Sequence, residues 1–187
     1  MSINKYKGRV AIICGSAPCV KQEFEIVSKA RPDAVIVGIN EAVQIVKCDI
    51  LMTYHLLEVG KFLGKSLGNP IIHTSKGFRP ELKDLADGFW QVKGGATSAG
   101  DAIQICQQMG FKEIILVGCP MSGGDEYFYG KGKENVEGCP RFGNTGNEHL
   151  VNRHKARLKE IVEEGDYTNV SSMSGFTSEL FGKPKLK

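Results

Sequence analysis

Short, unbroken apolar runs that stop at a glycine or a polar residue constrain this chain most strongly. The clearest are Arg9–Cys14, Ala34–Ile39 and Glu113–Gly118. An apolar run without alternation is typical of a strand that is covered on both faces. Segments with helical spacing lie between these runs. We therefore predict an α/β chain with a mostly parallel sheet, right-handed crossovers and helices on both faces.

The remaining elements follow from weaker signals of the same kind. Further strands are predicted at Asp49–Tyr54, Pro70–Thr74, Gly88–Val92 and Thr168–Ser172. Helices are predicted at Lys21–Ala30, Glu41–Val46, Leu56–Leu63, Ala99–Met109 and Glu148–Glu163. Asn40 is expected to cap the second helix and Thr97 or Ser98 the fourth, with Gly110 left-handed at its end. With 187 residues, this order predicts one Rossmann-like, doubly wound domain over 1–187.

The charge composition indicates which kinds of binding partner to expect. The net charge is +3, with 24 basic and 21 acidic residues, and only the tail Lys183–Lys187 is locally basic. Nucleic-acid binding usually needs a clustered basic face, so no nucleic-acid partner is expected. No run approaches the length of a transmembrane segment, and the first residues lack a signal-peptide pattern. A cytoplasmic protein without a transmembrane segment is the expectation.

Six cysteines are scattered without zinc spacing, and most of them lie in or beside apolar runs. Such residues behave as small hydrophobes, although a redox or metal role stays open. The long segment 119–147 is rich in glycine, proline and polar residues. A loop of this length in a small domain is often functional, and we expect it to form a lid.

Two glycine-rich turns are candidate phosphate sites. Gly15, Ser16 and Ala17 directly follow the first strand, where backbone N–H groups and a helix N-terminus can meet a phosphate. Neither a dinucleotide fingerprint nor a P-loop is present, so a simple structural turn stays the alternative.

The second turn precedes the fourth helix and contains Gly95, Thr97, Ser98 and Ala99. Small hydroxylated residues at a helix start can cap the helix, offer donors to an anion, or do both. Pure capping is the alternative interpretation.

Single polar residues complete the candidate site. Asn40 and His55 end two neighbouring strands, where an amide and an imidazole can bind a ribose or a base edge. Each of them can equally be a cap or turn residue. His149 and His154 lie on the last long helix, and histidine suits general-base chemistry at neutral pH. A solvated helix histidine is the alternative for either one.

Other chemistries find little support in the sequence. Zinc-protease and hydrolase-elbow motifs are absent, and no acidic pair of the D-x-D type ends a strand. A metal is therefore not demanded by the sequence.

The block from Gly95 to Ile103, followed by Met109–Gly118, resembles a segment shared by two related groups of proteins. One group is the small, metal-independent bacterial sialyltransferases, which use a CMP-sugar. The other is the domain family similar to archaeal 6-hydroxymethylpterin pyrophosphokinase. The similarity extends to Cys14–Pro18, Gly38–Asn40 and Thr53–His55, and to the segment Asn169–Gly175 near the C-terminus.

The resemblance implies roles for individual residues. Ser16, Asn40 and His55 would face the nucleotide, and Thr97, Ser98 and Ala99 would offer donors to its phosphate. Tyr127 and Tyr129 would assist the leaving phosphate, and His149 would deprotonate the acceptor hydroxyl. The implied enzyme is a glycosyltransferase with a CMP-type nucleotide sugar as donor and a small molecule or glycan as acceptor. It would require no cofactor.

Departures from the two patterns keep alternatives open. Gly95 replaces the arginine of the sialyltransferases, as in the pterin-type relatives, and Pro120 replaces an aspartate favoured by both groups. Ser16 stands where the sialyltransferases have asparagine, and Cys19 where serine is usual. A pyrophosphokinase-like diphosphate transfer, with Asp101 and Asp125 contributing to a Mg²⁺ site, is one alternative. A nucleotide-binding sensor without catalysis is the other. The chain is short for either group, which suits a reduced, phage-like version or a homo-oligomer.

Overall fold

The computed structural model describes residues 6–75, 84–93, 97–121 and 148–186, with the backbone alone at 148–150. Its strands are β1 (Val10–Cys14), β2 (Val35–Ile39), β3 (Ile50–Met52), β4 (Ile71–Ser75), β5 (Gly88–Trp90), β6 (Glu113–Val117) and β7 (Val170–Ser172). Its helices are α1 (Val20–Ala30), α2 (Val59–Leu63), α3 (Ser98–Gln108), α4 (Glu148–Glu163) and α5 (Gly175–Phe181). All seven predicted strands are present at or close to their predicted bounds.

The strands form a single seven-stranded sheet in the order β5-β4-β3-β2-β1-β6-β7. Every neighbouring pair is parallel. The chain builds outward from β1 in one direction as far as β5, then returns to the other side of β1 with β6. The prediction of a doubly wound, Rossmann-like α/β fold is therefore confirmed. In such folds ligands bind beyond the carboxyl ends of the strands.

The two faces of the sheet explain why its central strands are apolar throughout. On one face, Ile13 and Ile50 pack in a cluster that includes Ile103 of α3. On the other face, Ile12 and Leu51 pack in a cluster with side chains of α1 and α2. Successive residues of a strand point to opposite faces, so both faces of β1 need apolar residues. Fully burying each such side chain contributes about 1.5–3 kcal/mol.

The α3 helix begins and ends as its sequence predicts. Thr97 has extended backbone dihedrals, and its hydroxyl accepts a hydrogen bond from the N–H of Gly100 at 3.0 Å. Gly110 follows the helix with φ +80°. Both features are ordinary helix-terminus chemistry, because Thr satisfies a free N–H and glycine tolerates a left-handed backbone.

The prediction of a helix capped by Asn40 was wrong. A 3₁₀ helix spans Asn40–Gln44, and Asn40 is its first residue rather than its cap, with φ +50°. The side chain of Asn40 is bonded to the end of β3, as described below, so tertiary contacts determine its conformation. The predicted helix Leu56–Leu63 is likewise divided, into a 3₁₀ turn at Leu56–Glu58 and α2.

The α5 helix was not predicted. It contacts the residues that directly follow β6. Its Thr177 is fully buried and donates to the carbonyl of Cys119 at 2.7 Å. Gly175, at φ +61°, lies so close to Pro120 that an added Cβ would be 2.3 Å from the Pro120 carbonyl oxygen. Contacts with α5 therefore fix the position of Cys119 and Pro120.

Candidate functional site

The predicted binding residues that the structure describes lie along one edge of the sheet. Gly15, Ser16 and Ala17 follow β1, Asn40 follows β2, and His55 follows β3. Parallel strands end at a common edge, and α3 returns antiparallel to them, so its first turn starts at that same edge. The structure therefore brings residues from four distant parts of the chain to the carboxyl edge.

The turn after β1 is held tightly against β6. The N–H of Gly15 donates to the Val117 carbonyl at 2.8 Å, and the N–H of Ala17 donates to the Gly118 carbonyl at 3.2 Å. A Cβ on Gly15 would lie only 2.2 Å from that Gly118 oxygen. Gly15 thus has a packing role, and two N–H groups of the turn are already bonded.

A buried carboxylate lies behind the same turn. Glu23, in the first turn of α1, accepts the N–H of Gly118 at 2.7 Å. Glu23 belongs to the first turn of α1, as Asp101 belongs to the first turn of α3, so each helix start already has an acidic residue beside it. Phosphate binding by Ser16 and its neighbours at this turn stays a prediction.

Asn40 and His55 are linked through the hydroxyl of Thr53. Thr53 Oγ1 donates to Asn40 Oδ1 at 2.8 Å and accepts the backbone N–H of His55 at 2.9 Å. Thr53 is buried, so this network fixes the ends of β2 and β3 relative to each other. The left-handed backbone of Asn40 is uncommon for a residue other than glycine, and such conformations often occur at functional sites.

Replacing Thr53 by Val is expected to destabilise the fold by about 1–2 kcal/mol, because it leaves Asn40 Oδ1 and the His55 N–H without their shared partner. If these two residues bind nucleotide, the affinity should fall as well. Chemical denaturation and nucleotide titration of the variant measure the two effects separately. An unchanged unfolding free energy would contradict the role assigned to this network.

The start of α3 combines capping with exposure of polar groups to the edge. The hydroxyl of Thr97 is used by the cap, whereas Ser98 lines a pocket and Ala99 packs into the core. The free N–H groups of the first turn give this end of the helix a partial positive charge.

A small cavity of about 10 Å³, room for about one water molecule, lies between α3 and the ends of β3 and β4. It is lined by Met52, Thr53, Tyr54, His73, Thr74, Ser75, Ser98, Asp101, Ala102 and Ile105. Three of its polar residues, His73, Thr74 and Asp101, are at least 97% buried. Buried polar groups are normally hydrogen-bonded. Within the described part of the chain, His73 Nε2, Thr74 Oγ1 and both carboxylate oxygens of Asp101 have no hydrogen-bond partner.

The protonation state of His73 follows from its neighbours. Trp90 Nε1 donates to His73 Nδ1 at 2.7 Å, and burial lowers the pKa of His73 to about 4. At neutral pH the ring is uncharged and its one hydrogen is on Nε2, since Nδ1 accepts. His73 therefore presents a fixed N–H donor to the pocket.

Asp101 is the most unusual residue of the pocket. Burial raises its pKa to about 6, and the hydroxyl of Tyr54 offsets this in part by approaching the carboxyl group without completing a hydrogen bond of regular geometry. Burial and the charge of Asp101 also raise the pKa of Tyr54, so Tyr54 is a protonated phenol. A buried carboxylate with a raised pKa in a cleft is a recognised mark of a functional site.

Sequence reasoning identified only part of this pocket. It named Asp101 as a contributor to a metal site and omitted Tyr54, His73 and Thr74. A signal was available, because Asp101 lies four residues before the buried Ile105 and one before the buried Ala102. A charged residue on the core side of a helix is a local inconsistency of the kind that functional sites show.

Other predicted residues lie outside the described residues. Gly95, Tyr127, Tyr129 and Asp125 fall in this category, as does segment 122–147 of the expected lid. His149 lies on α4, with only its backbone described. The described residues contain no group of three or more His, Cys, Asp or Glu side chains that could hold a metal ion.

The fold and the position of its edge pocket define a doubly wound α/β protein of the Rossmann-like class. Among solved structures, the chain is similar to the MAf glycosyltransferase from Magnetospirillum magneticum AMB-1, with a TM-score of 0.53 and 15% sequence identity. The similarity covers 92% of this chain and 35% of the MAf protein, so the chain spans about a third of that protein. This likeness shows a shared fold. No protein-family model and no curated protein sequence matches the chain.

Among the helices of the described ranges, none has both the length and the apolar character needed to cross a bilayer.

Proposed function

We propose that the protein is a glycosyltransferase-like enzyme that binds a nucleotide-activated sugar, of the CMP type, at the carboxyl edge of its sheet. The observation that carries this proposal is the carboxyl edge of the sheet, where the first turn of α3 lies with the turns that follow β1, β2 and β3. The N–H groups of that helix start offer a positive end for a phosphate. The fold shared with the MAf glycosyltransferase supports the same reading.

In the proposed reaction an acceptor hydroxyl attacks the sugar carbon of the donor as the bond to the nucleotide phosphate breaks. His149 takes the proton of the hydroxyl. The first turn of α3, at Thr97–Ala99, stabilises the departing phosphate, and Tyr127 or Tyr129 assists it. A preorganised donor at developing charge can contribute a few kcal/mol to the transition state. No metal is required by this scheme, because helix and tyrosine donors neutralise the phosphate.

The first experiment measures binding and turnover together. CMP, UMP and ATP are titrated against the protein. CMP-, UDP- and ADP-linked sugars are then tested as donors, and product formation is measured with EDTA or Mg²⁺ present. Binding of CMP with EDTA-insensitive turnover of a CMP-sugar supports the proposal. Binding without turnover of any sugar nucleotide would favour the nucleotide sensor.

His149→Ala is expected to reduce turnover by about 10²- to 10⁴-fold while leaving donor affinity unchanged, as removal of a general base does. His154→Ala is the matched comparison, since it removes an imidazole five residues further along α4. Loss of turnover in the His154 variant alone would transfer the role of base to His154. Full turnover in both variants would contradict a histidine base on α4.

Diphosphate transfer is the second candidate, and Asp101 is the observation that favours it. A buried carboxylate beside a helix N-terminus can help to hold Mg²⁺ at a phosphate. This reaction would be stimulated by Mg²⁺ and abolished by EDTA. Release of AMP from ATP, followed with EDTA or Mg²⁺ present, therefore tests this activity separately from sugar-nucleotide turnover.

A further inference from the structure

The first turn of α3 contains a buried carboxylate close to the end of the helix where a phosphate is expected. Asp101 follows Ser98, the first residue of α3, by less than one turn, and it is only 3% exposed. The Cα–Cβ bonds of a helix tilt towards its N-terminus, so the carboxylate lies nearer to the helix start than the Asp101 backbone does. Ser98 and Asp101 also line the same small cavity. The carboxylate therefore lies within about one helical turn of the first N–H groups of α3, which have no partner within the helix.

No cationic side chain offsets the charge of this carboxylate among the cavity-lining residues of the described ranges, which include no lysine or arginine. The titratable side chains that face Asp101 are Tyr54 and His73. Both are uncharged at neutral pH, because burial raises the pKa of the phenol and lowers the pKa of the imidazole to about 4. The cavity has room for about one water molecule, so a hydrated counter-ion does not fit. An ionised Asp101 is therefore a buried charge without a cationic partner.

A buried charge of this kind responds to a second negative charge placed near it. Burial already raises the pKa of Asp101 to about 6. A phosphate at the start of α3 is a like charge, so it disfavours the ionised carboxylate further. Two unit charges about 8 Å apart near a protein surface repel each other enough to change a binding constant about 10- to 30-fold. Protonation of the carboxyl group removes this repulsion.

We propose that Asp101 takes up a proton from solvent when an anion binds at the start of α3, and releases the proton when the anion leaves. Anion and proton then strengthen each other's binding by the same factor, so the affinity for the anion rises as the pH falls. A 10-fold coupling would raise the pKa of Asp101 from about 6 in the free protein to about 7 in the complex. The inference rests on the phosphate site of the proposed function, and it adds a control of that site by pH.

The first experiment counts the protons that accompany binding. The ligand is the methyl ester of CMP, whose phosphodiester keeps one negative charge from pH 5 to pH 8 and so contributes no proton of its own. Calorimetric titrations at pH 6.5, in two buffers with different heats of ionisation, give the number of protons taken up. The wild type and Asp33→Asn should take up about half a proton per ligand, and Asp101→Asn should lose this uptake. Asp33 is the matched control, because it is an exposed residue before β2 at the opposite edge of the sheet.

The second experiment measures the affinity for the same ligand at pH 5, 6, 7 and 8. From pH 5 to pH 8 the affinity of the wild type should fall about 10-fold more than that of Asp101→Asn. At pH 8 Asp101→Asn should therefore bind about 10-fold more tightly than the wild type, a gain that damage to the fold would not produce. Tyr54→Phe removes a phenol that partly stabilises the ionised carboxylate, so it should move the midpoint of the wild-type profile to higher pH.

Two results would overturn the proposal while leaving nucleotide binding intact. The first is equal proton uptake by the wild type and Asp101→Asn, and the second is the same pH profile of affinity in these two proteins. If the nucleotide ester does not bind at all, the proposed function fails, and sulfate, which also keeps its charge over this range, replaces it as the probe. Sulfate should then raise the melting temperature of the wild type more at pH 5 than at pH 8, and this difference should be smaller in Asp101→Asn. An equal difference in both proteins would overturn the coupling to Asp101 too.

Discussion

Asp101→Asn is expected to gain up to about 3 kcal/mol of stability relative to the wild type between about pH 4 and pH 7. Burial raises the pKa of Asp101 from 3.8 to about 6 in the folded protein. In that interval the folded state holds a proton that the unfolded state has lost. The unfolding free energy of the wild type therefore falls as the pH rises from 3.8 to about 6, and the full cost is present above that range. The asparagine variant carries no such charge, so it escapes this loss.

Two groups that face Asp101 affect the comparison. The phenol of Tyr54 stays protonated throughout the range, because burial and Asp101 raise its pKa. His73 has its pKa lowered to about 4, so its own contribution to stability is lost as the pH falls towards 4. This contribution is opposite in sign to that of Asp101, but it is present in both proteins and cancels in their difference.

Urea unfolding of the wild type, Asp101→Asn and Asp33→Asn at pH 4, 5, 6 and 7 measures the effect. The Asp33 variant should follow the wild type, because its carboxylate is exposed at the far edge of the sheet. Parallel pH profiles for the wild type and Asp101→Asn would show that the carboxylate is not buried at a cost. Gain of stability combined with loss of the pH dependence of anion binding would be the pattern of a residue retained for function.

Gly15→Ala is expected to destabilise the protein by about 2–3 kcal/mol, in the range of overpacking in a rigid core. The added methyl group would lie 2.2 Å from the Gly118 carbonyl oxygen and 2.6 Å from the sulfur of Cys119. The carbonyl belongs to the backbone that follows β6, and α5 holds that segment in place through Thr177. Little relaxation is therefore available.

Gly60→Ala provides the matched control for this substitution. Gly60 is an exposed residue of α2, and an added Cβ meets nothing within 4 Å. Alanine there should stabilise the protein by about 0.5–1 kcal/mol, because it restricts the unfolded chain and favours the helix. Thermal or urea unfolding compares the two. A Gly15 variant as stable as the wild type would show that the turn can move away from β6.

This result also bears on how activity data should be interpreted. Loss of activity in a Gly15 variant would follow from the packing of the turn alone. Ser16→Ala, which leaves that packing intact, is the substitution that tests a phosphate contact at this turn.

The apolar runs were sufficient to predict the sheet because helices cover both of its faces. The strands β1, β2 and β6 lie in its middle with helices on both faces, so both sets of alternating side chains must be apolar. The signal was weaker at the edge of the sheet, where β5 is only half-buried.

Helix ends were predictable only where they depend on local contacts. Thr97 caps α3 through a bond three residues away, and Gly110 ends the same helix by its own backbone freedom. Asparagine is a residue type that often caps helices, but the side-chain oxygen of Asn40 accepts a hydrogen bond from Thr53, which follows the next strand. The α5 helix was missed because it begins at a glycine held by Pro120, a contact that no local pattern reveals.

The cavity beside α3 could not be assembled from the sequence for the same reason. His73 belongs to β4, Trp90 to β5 and Asp101 to α3, and no spacing in the chain relates the three residues. The sequence did locate the correct edge, since parallel strands place their ends together. It could not indicate which polar residues at that edge have their hydrogen-bonding capacity filled by the protein itself.

The place of β1 between β2 and β6 has a consequence for how the molecule is made. During synthesis on the ribosome, β1 can pair with β2 after about 25 further residues, but its other side pairs with β6, about 100 residues later. Until then the nascent chain presents an open, fully apolar strand edge, the form of structure most prone to joining another chain. Cells that make this protein should therefore be sensitive to the rate at which residues 40–117 emerge, and to chaperones that cover the edge in the meantime.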